Sequence, residues 1–194
     1  MKKTRKINFS FGTLLICIAL FATSCKKDIP GPTASGTSEY YMRFKANGIT
    51  KEYKFDCAGQ LNKFQTNPDV YASHFSGAKD EYVVNKNVMT VILFTNAESL
   101  LNVTYTNYNT TSPVLIPARD LIISYSDETG EHYGSIYETA LPYLPAGLVC
   151  NNLLRITEAN SVYLKGTFSG TIYNNSYLKK IEITAGEFYL KRGY

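Results

Sequence analysis

Residues 162–190 alternate in side-chain character over a length that suits a pair of long β-strands. Val162, Leu164, Phe168 and Ile172 share one parity with Gly166 and Gly170, and Tyr163, Lys165, Thr167, Ser169, Thr171 and Tyr173 share the other. A period of two places the first set on one face of a sheet and the second on the opposite face. Asn174-Asn175 marks a turn, after which Ile181 and Ile183 point inward. Phe188 and Leu190 also point inward, but on the opposite parity, so one extra residue must be absorbed between the two pairs. The spacing predicts a β-bulge at Ala185-Gly186, with Gly186 in the left-handed region. Gly166 and Gly170, on the apolar face, would let the strand coil or another chain approach.

The rest of the chain reads in the same way. Met42, Phe44 and Ala46 alternate with Arg43 and Lys45, and Asn47-Gly48 is a type I′ hairpin signal leading to a return strand over Ile49–Phe55. Further strands are predicted over Val70–Gly77, Val88–Thr95, Leu101–Thr106, Leu121–Tyr125 and His132–Glu138. The run Val88–Phe94 lacks clean alternation and reads as covered on both faces. Pro142 and Pro145 exclude a regular strand between Leu141 and Gly147. Past the leader no stretch sustains a helical period, although Thr95–Leu101 has room for a single turn. This pattern predicts an all-β domain over residues 39–194: an antiparallel two-sheet β-sandwich of about eight to ten strands. The alternative is a lipocalin-like β-barrel. The 16 Tyr and 10 Phe among 194 residues fit such a pleated, half-buried surface.

Charge narrows the function. The chain carries 20 Lys+Arg against 16 Asp+Glu, and the whole excess is Lys2, Lys3, Arg5 and Lys6. Past residue 24 the chain is formally neutral, which argues against a nucleic-acid binder, since that needs clustered cations to displace counterions from phosphate. The basic start, the apolar stretch Phe9–Ala22 and the small residues Ala22, Thr23 and Ser24 form the pattern of a signal peptide over residues 1–24. The apolar stretch is shorter than the ~20 residues of a spanning helix. Cys25, directly after the cleavage region, stands where a bacterial lipoprotein receives its diacylglycerol, although Ala22 occupies the usual leucine position and would also suit ordinary signal peptidase. Several acyl chains anchor stably where one does not. Lys26 is not the aspartate that marks inner-membrane retention, so the expected location is the outer membrane, periplasmic or surface-exposed. Residues 25–38, rich in Pro, Gly, Ser and Thr, read as a flexible tether.

Three segments carry a resemblance. Ser24-Cys25-Lys26-Lys27-Asp28 resembles the start of many Bacteroidota lipoproteins. Met42–Gly48 resembles the first hairpin of a group of small all-β lipoproteins from that phylum, a group of domains of unknown function. Leu154–Thr157, Lys165–Thr171 and Ile183–Phe188 resemble their C-terminal half, where Asn often stands at the place of Ala185. The motifs are strands and turns, and the resemblance implies no catalytic residue.

Candidate chemistry is sparse. Cys57 and Cys150 are the only cysteines past Cys25. They either pair, closing a long loop worth ~4–5 kcal/mol in the chain-entropy model, or stand as separate buried thiols. His74 and His132 are the only histidines and lack zinc-site spacing. Asp127, Glu128 and Glu131 cluster at a turn without the alternating ligands of a calcium loop. No nucleophile elbow or phosphate loop is present, and no metal, cofactor or catalytic residue is expected. Tyr40, Tyr41, Tyr105, Tyr108, Tyr133, Tyr137, Tyr143, Tyr163, Tyr173 and Tyr177 either form a binding surface or support the sheets as cross-strand pairs. The expected function is an envelope-anchored, non-catalytic binding module for a glycan, protein or envelope partner. The alternatives are an accessory subunit of an outer-membrane complex and a hydrolase without a recognisable motif. A flat aromatic face would favour binding, a concave pocket of convergent acids the enzyme, and a large apolar patch a permanent partner.

Overall fold

A computed structural model describes residues 39–64, 69–80 and 85–193. The leader, Cys25 and the tether lie outside the described residues. The described chain is all-β, with twelve strands: β1 (Tyr41–Ala46), β2 (Ile49–Tyr53), β3 (Phe55–Phe64), β4 (Tyr71–Ala78), β5 (Val88–Thr95), β6 (Thr104–Thr106), β7 (Leu115–Pro117), β8 (Asp120–Ser126), β9 (His132–Gly134), β10 (Leu153–Ala159), β11 (Tyr163–Asn174) and β12 (Lys180–Arg192). The count exceeds the expected eight to ten because β3 and β7 were not predicted, while the predicted strands Leu101–Thr106 and His132–Glu138 shorten to the three-residue β6 and β9. The sheet is mixed and not purely antiparallel: β3 runs parallel to β12 and β7 parallel to β6. The predicted helical turn at Thr95–Leu101 is absent, and the helical element among the described residues is a 3-10 helix at Glu138–Tyr143, where Pro142 blocks a strand.

The hairpin β11–β12 is the spine. Its free edges carry β1 and β2 on the β12 side, and β10, β6 and β7 on the β11 side. The remaining strands run in the order β3-β4-β5-β8-β9. These two sets touch through the spine at two places. The end of β12 pairs Lys191 and Arg192 with Ala58 and Gly59 of β3. The end of β11 pairs Tyr173 and Asn174 with Gly134 and Tyr133 of β9. Because β11 and β12 are antiparallel, the two joins fall at opposite ends of the spine. The architecture is sandwich-like in general terms, with one core between the two sets of strands.

That core follows the alternation. Met42 and Phe44 of β1, Phe75 of β4, Val91 and Leu93 of β5, Ile123 of β8, Ile156 of β10, Leu164 of β11 and Leu190 of β12 are all buried. Phe75 stacks on Phe188 at 4.8 Å between ring centroids, and Phe44 meets Tyr125 edge-on at 5.6 Å, so rings from the two sets interlock; such pairs add ~0.5–1.5 kcal/mol beyond burial. In β5 one face is buried and the other half-buried, which is why its sequence shows no clean alternation. Asn47 and Gly48 both hold positive φ, as a type I′ turn requires.

The bulge lies where it was expected, but its geometry differs. Phe168 faces Gly186 and Gly170 faces Ile183, so Ser169 alone opposes Thr184 and Ala185. Ala185, not Gly186, holds the positive φ of 47°. Gly186 is needed for space: a Cβ there would strike the carbonyl oxygen of Phe168. Gly166 is filled in the same sense by the Phe188 ring and the Arg155 carbonyl, and Gly170 by Asn152. Val162 shares the inward parity of β11 but sits in the turn before it and is 57% exposed.

Candidate functional site

The outward parity of the spine and its neighbours builds two cross-strand rows. Tyr41, Tyr189, Lys165 and Glu158 lie abreast on β1, β12, β11 and β10. Beside them runs Glu52, Arg43, Glu187, Thr167, Arg155 and Thr104, across β2, β1, β12, β11, β10 and β6. Tyr163 pairs with Lys191 at the edge of the first row. Tyr189 is the centre of an aromatic cluster: Tyr40 and Tyr163 each lie 5.1 Å from it and Tyr41 6.3 Å, centroid to centroid.

Charges lock this cluster. Lys165 Nζ sits 5.0 Å from the Tyr163 centroid and 5.3 Å from that of Tyr189, and donates to Glu158 at 3.1 Å. The Tyr163 hydroxyl donates to the same carboxylate at 3.0 Å. Arg43 lies 5.0 Å from the Tyr41 centroid and divides its guanidinium between Glu52 at 2.7 Å and Glu187 at 2.8 Å. The hydrogen bond from Arg43 holds the Glu52 carboxyl below its ordinary range, and that from Lys165 does the same to Glu158. The cations Arg43 and Lys165 thus meet three carboxylates, Glu52, Glu187 and Glu158. This face offers no net positive charge to a polyanion. The rings are mutually tilted by 52°, 70° and 76°, so they present edges and hydroxyls and no continuous plane. Next to the second row an open groove of about 400 Å³ is lined by Thr104, Leu153, Arg155, Thr167, Ser169 and Ala185.

The structure separates the ten tyrosines of the sequence reading. Tyr40, Tyr41 and Tyr163 join the half-buried cluster around Tyr189. Tyr105, Tyr133 and Tyr173 are buried: Leu100 N donates to the Tyr105 hydroxyl at 2.6 Å and Val149 N to that of Tyr173 at 3.0 Å. Tyr143, at the 3-10 helix, Tyr137 and Tyr177 are exposed, and Tyr108 is half-buried. Tyr189 was missed, although the bulge signal carried it: once Phe188 and Leu190 face inward, Tyr189 faces out.

The other candidates do not converge. Cys57 and Cys150 stand as free thiols. Cys57 Sγ donates to Tyr53 O at 3.2 Å and Cys150 Sγ to Asn107 O at 3.2 Å. Burial pushes their pKa values up, to about 12 and about 11, which suppresses the nucleophilic thiolate. His74 is on β4 opposite Ile92, and His132 opens β9 with Nδ1 3.4 Å from Ser126 Oγ. Asp127 Oδ1 accepts from Thr129 N and Glu131 N, Glu128 pairs with Lys51, and Glu131 takes Asn174, Lys179 and Tyr133. The three carboxylates thus turn to three different sets of partners. Among the described residues no three His, Cys, Asp or Glu side chains come together as metal ligands. Asp120 and Glu138 line a pocket of about 140 Å³, smaller than the ~300–1,000 Å³ of typical ligand sites. Glu138 already accepts from Asn109 N at 2.7 Å. No family model, curated protein or solved structure matches the chain.

Proposed function

We propose that this chain is an envelope-anchored lipoprotein, held through Cys25 at the outer membrane, whose domain is a non-catalytic binding module. The resemblance to small Bacteroidota lipoproteins supports the address. We read the fold as a two-sheet sandwich joined at two corners, in preference to a lipocalin-like barrel, since the core is filled by interlocking rings. The observation that carries the function is the row Tyr41, Tyr189, Lys165 and Glu158 on an open sheet face, with a groove beside it. Tyrosines are enriched in interface cores because they bring area at low entropic cost. The tilt of the rings and the absence of Trp fit a protein partner better than a stacked sugar.

The test compares wild type with Tyr189→Ala and Arg43→Ala, in capture from native outer membranes after cross-linking and on arrays of envelope glycans. The expected result is one stoichiometric protein, lost tenfold or more in both variants, whose unfolding midpoints stay near wild type. A glycan bound with the same dependence would change the partner class. A partner held equally well by both variants would remove the site from this face.

A further inference from the structure

The register of the strands gathers several features at one end of the domain. β1 starts there, so the chain enters the domain beside Tyr40. β12 ends there with Lys191 and Arg192, and β3 runs on past it to Lys63. The β10–β11 turn is at the same end, tied by Arg192 N to Val162 O at 2.8 Å and by Arg192 Nη1 to Asn160 O at 2.7 Å. So is the loop after β5, held by Ser99 N on Asn62 Oδ1 at 2.8 Å and by Asn102 N on Ile156 O at 2.8 Å. From these two loops project Val162, 57% exposed, Leu100, 57%, and Leu101, 41%. The tyrosine cluster borders them. The opposite end, at the β11–β12 turn, carries Leu178, 86% exposed; a strand of this length puts the two ends roughly 40 Å apart.

We propose that the end bearing Leu100, Leu101 and Val162 docks on the lipid bilayer that holds the anchor. This inference rests on the lipoprotein reading. Thirteen residues separate Cys25 from Glu39, which covalent geometry lets span at most about 45 Å. The end beside Tyr40 is thus the one through which the anchor holds the domain. Three aliphatic tips are too few to bind a bilayer from solution. A short tether makes the contact effectively intramolecular, at millimolar-like local concentration. Tyr40 and Tyr163, one step nearer this end than the row of Tyr41, Tyr189, Lys165 and Glu158, then lie at headgroup level, where amphipathic rings gather, and Lys63, Lys191 and Arg192 keep their heads in the polar layer. Glu39, Asp69, Glu98 and Glu158 balance these cations and Lys165 at the same end, so docking needs no anionic lipid. The partner-binding face then stands upright, next to the bilayer.

The chain has no Trp, so a single introduced indole reports its own depth. The lipidated full chain carrying Val162→Trp or Leu178→Trp is reconstituted in phosphatidylcholine vesicles with brominated acyl chains. The expected result is that both variants float with the vesicles, and that bromine lowers the fluorescence of Val162→Trp by about twofold, the depth of an interfacial contact, while leaving Leu178→Trp unchanged. Adding Leu101→Asp to Val162→Trp should restore its emission. Protein that floats with neither indole quenched, or with both quenched alike, overturns the docking and leaves the anchor intact. Protein that does not float overturns the anchor, and the docking with it.

Discussion

Ala185 holds a φ of +47° at an exposed point of β12, a conformation that costs an alanine roughly 1–2 kcal/mol. Asparagine visits this region readily, so Ala185→Asn should raise stability by about 0.5–1 kcal/mol, read as a higher urea midpoint at unchanged slope. Gly186→Ala should do the reverse, by about 3 kcal/mol, because its Cβ has the Phe168 carbonyl in its way. The sequence shows that a residue must be absorbed here, since the parity changes between Ile183 and Phe188. It does not show which residue turns and which makes room, because the carbonyl that excludes a side chain at Gly186 belongs to the neighbouring strand. The thiols make a second residue-scale expectation. With its pKa pushed up from 9.0 to about 12, the Cys57 thiol at pH 8 has about a thousandfold less thiolate than an unperturbed one. A maleimide should therefore label it slowly in the native domain and rapidly in urea. Thiols that stay silent in urea would mean that Cys57 and Cys150 are paired after all.

β12 serves three neighbours: β11 along its length, β1 along its middle, and β3 through its last two paired residues. Ending the chain after Leu190 would leave β11 in place and remove the join to β3, the Arg192 bonds to Val162 and Asn160, and the Gly193 bond to Gly59. The cost expected is about 2–4 kcal/mol, from a few net hydrogen bonds of ~1 kcal/mol each. Urea unfolding of the truncated chain measures it, and an unchanged midpoint would show that this join does not contribute. β1, β12 and the first half of β11 were legible from alternation, because a buried face there alternates with a more exposed one, while the ten-residue β3, with Gly, Gln and Asn among few apolar residues, was not predicted past Phe55. β6 and β9 were legible only as parts of the longer predicted strands Leu101–Thr106 and His132–Glu138, and β7 was not legible, since it exists only by pairing with β6. The parallel pairings were invisible because two or three pairs of backbone groups leave no pattern in side-chain type.

For the whole molecule, the buried phenols set an upper pH limit. Burial raises the Tyr125 pKa from 10.0 to about 12 and that of Tyr53 further. The folded state therefore holds these protons where the unfolded chain has released them, so the contribution is complete below pH 10 and declines as pH rises from there through about 12. The urea midpoint should fall above pH 10, and tyrosinate absorption from the buried rings should appear with unfolding, not before it. The neutrality of the chain past residue 24 and its all-β class were readable in composition and pattern. The aromatic site was not, because membership depends on which strands lie abreast, and Tyr189 reaches Tyr41 only through a pairing between the first strand and the last. That pairing also orders events in time. The β1–β2 hairpin is made early in the chain, yet the free edge of β1 has no strand to pair with until β12 arrives, and contacts of such long sequence separation are slow to form. A growing chain thus carries an unpaired β1 edge until β12 has been made, and the first strand waits for the last.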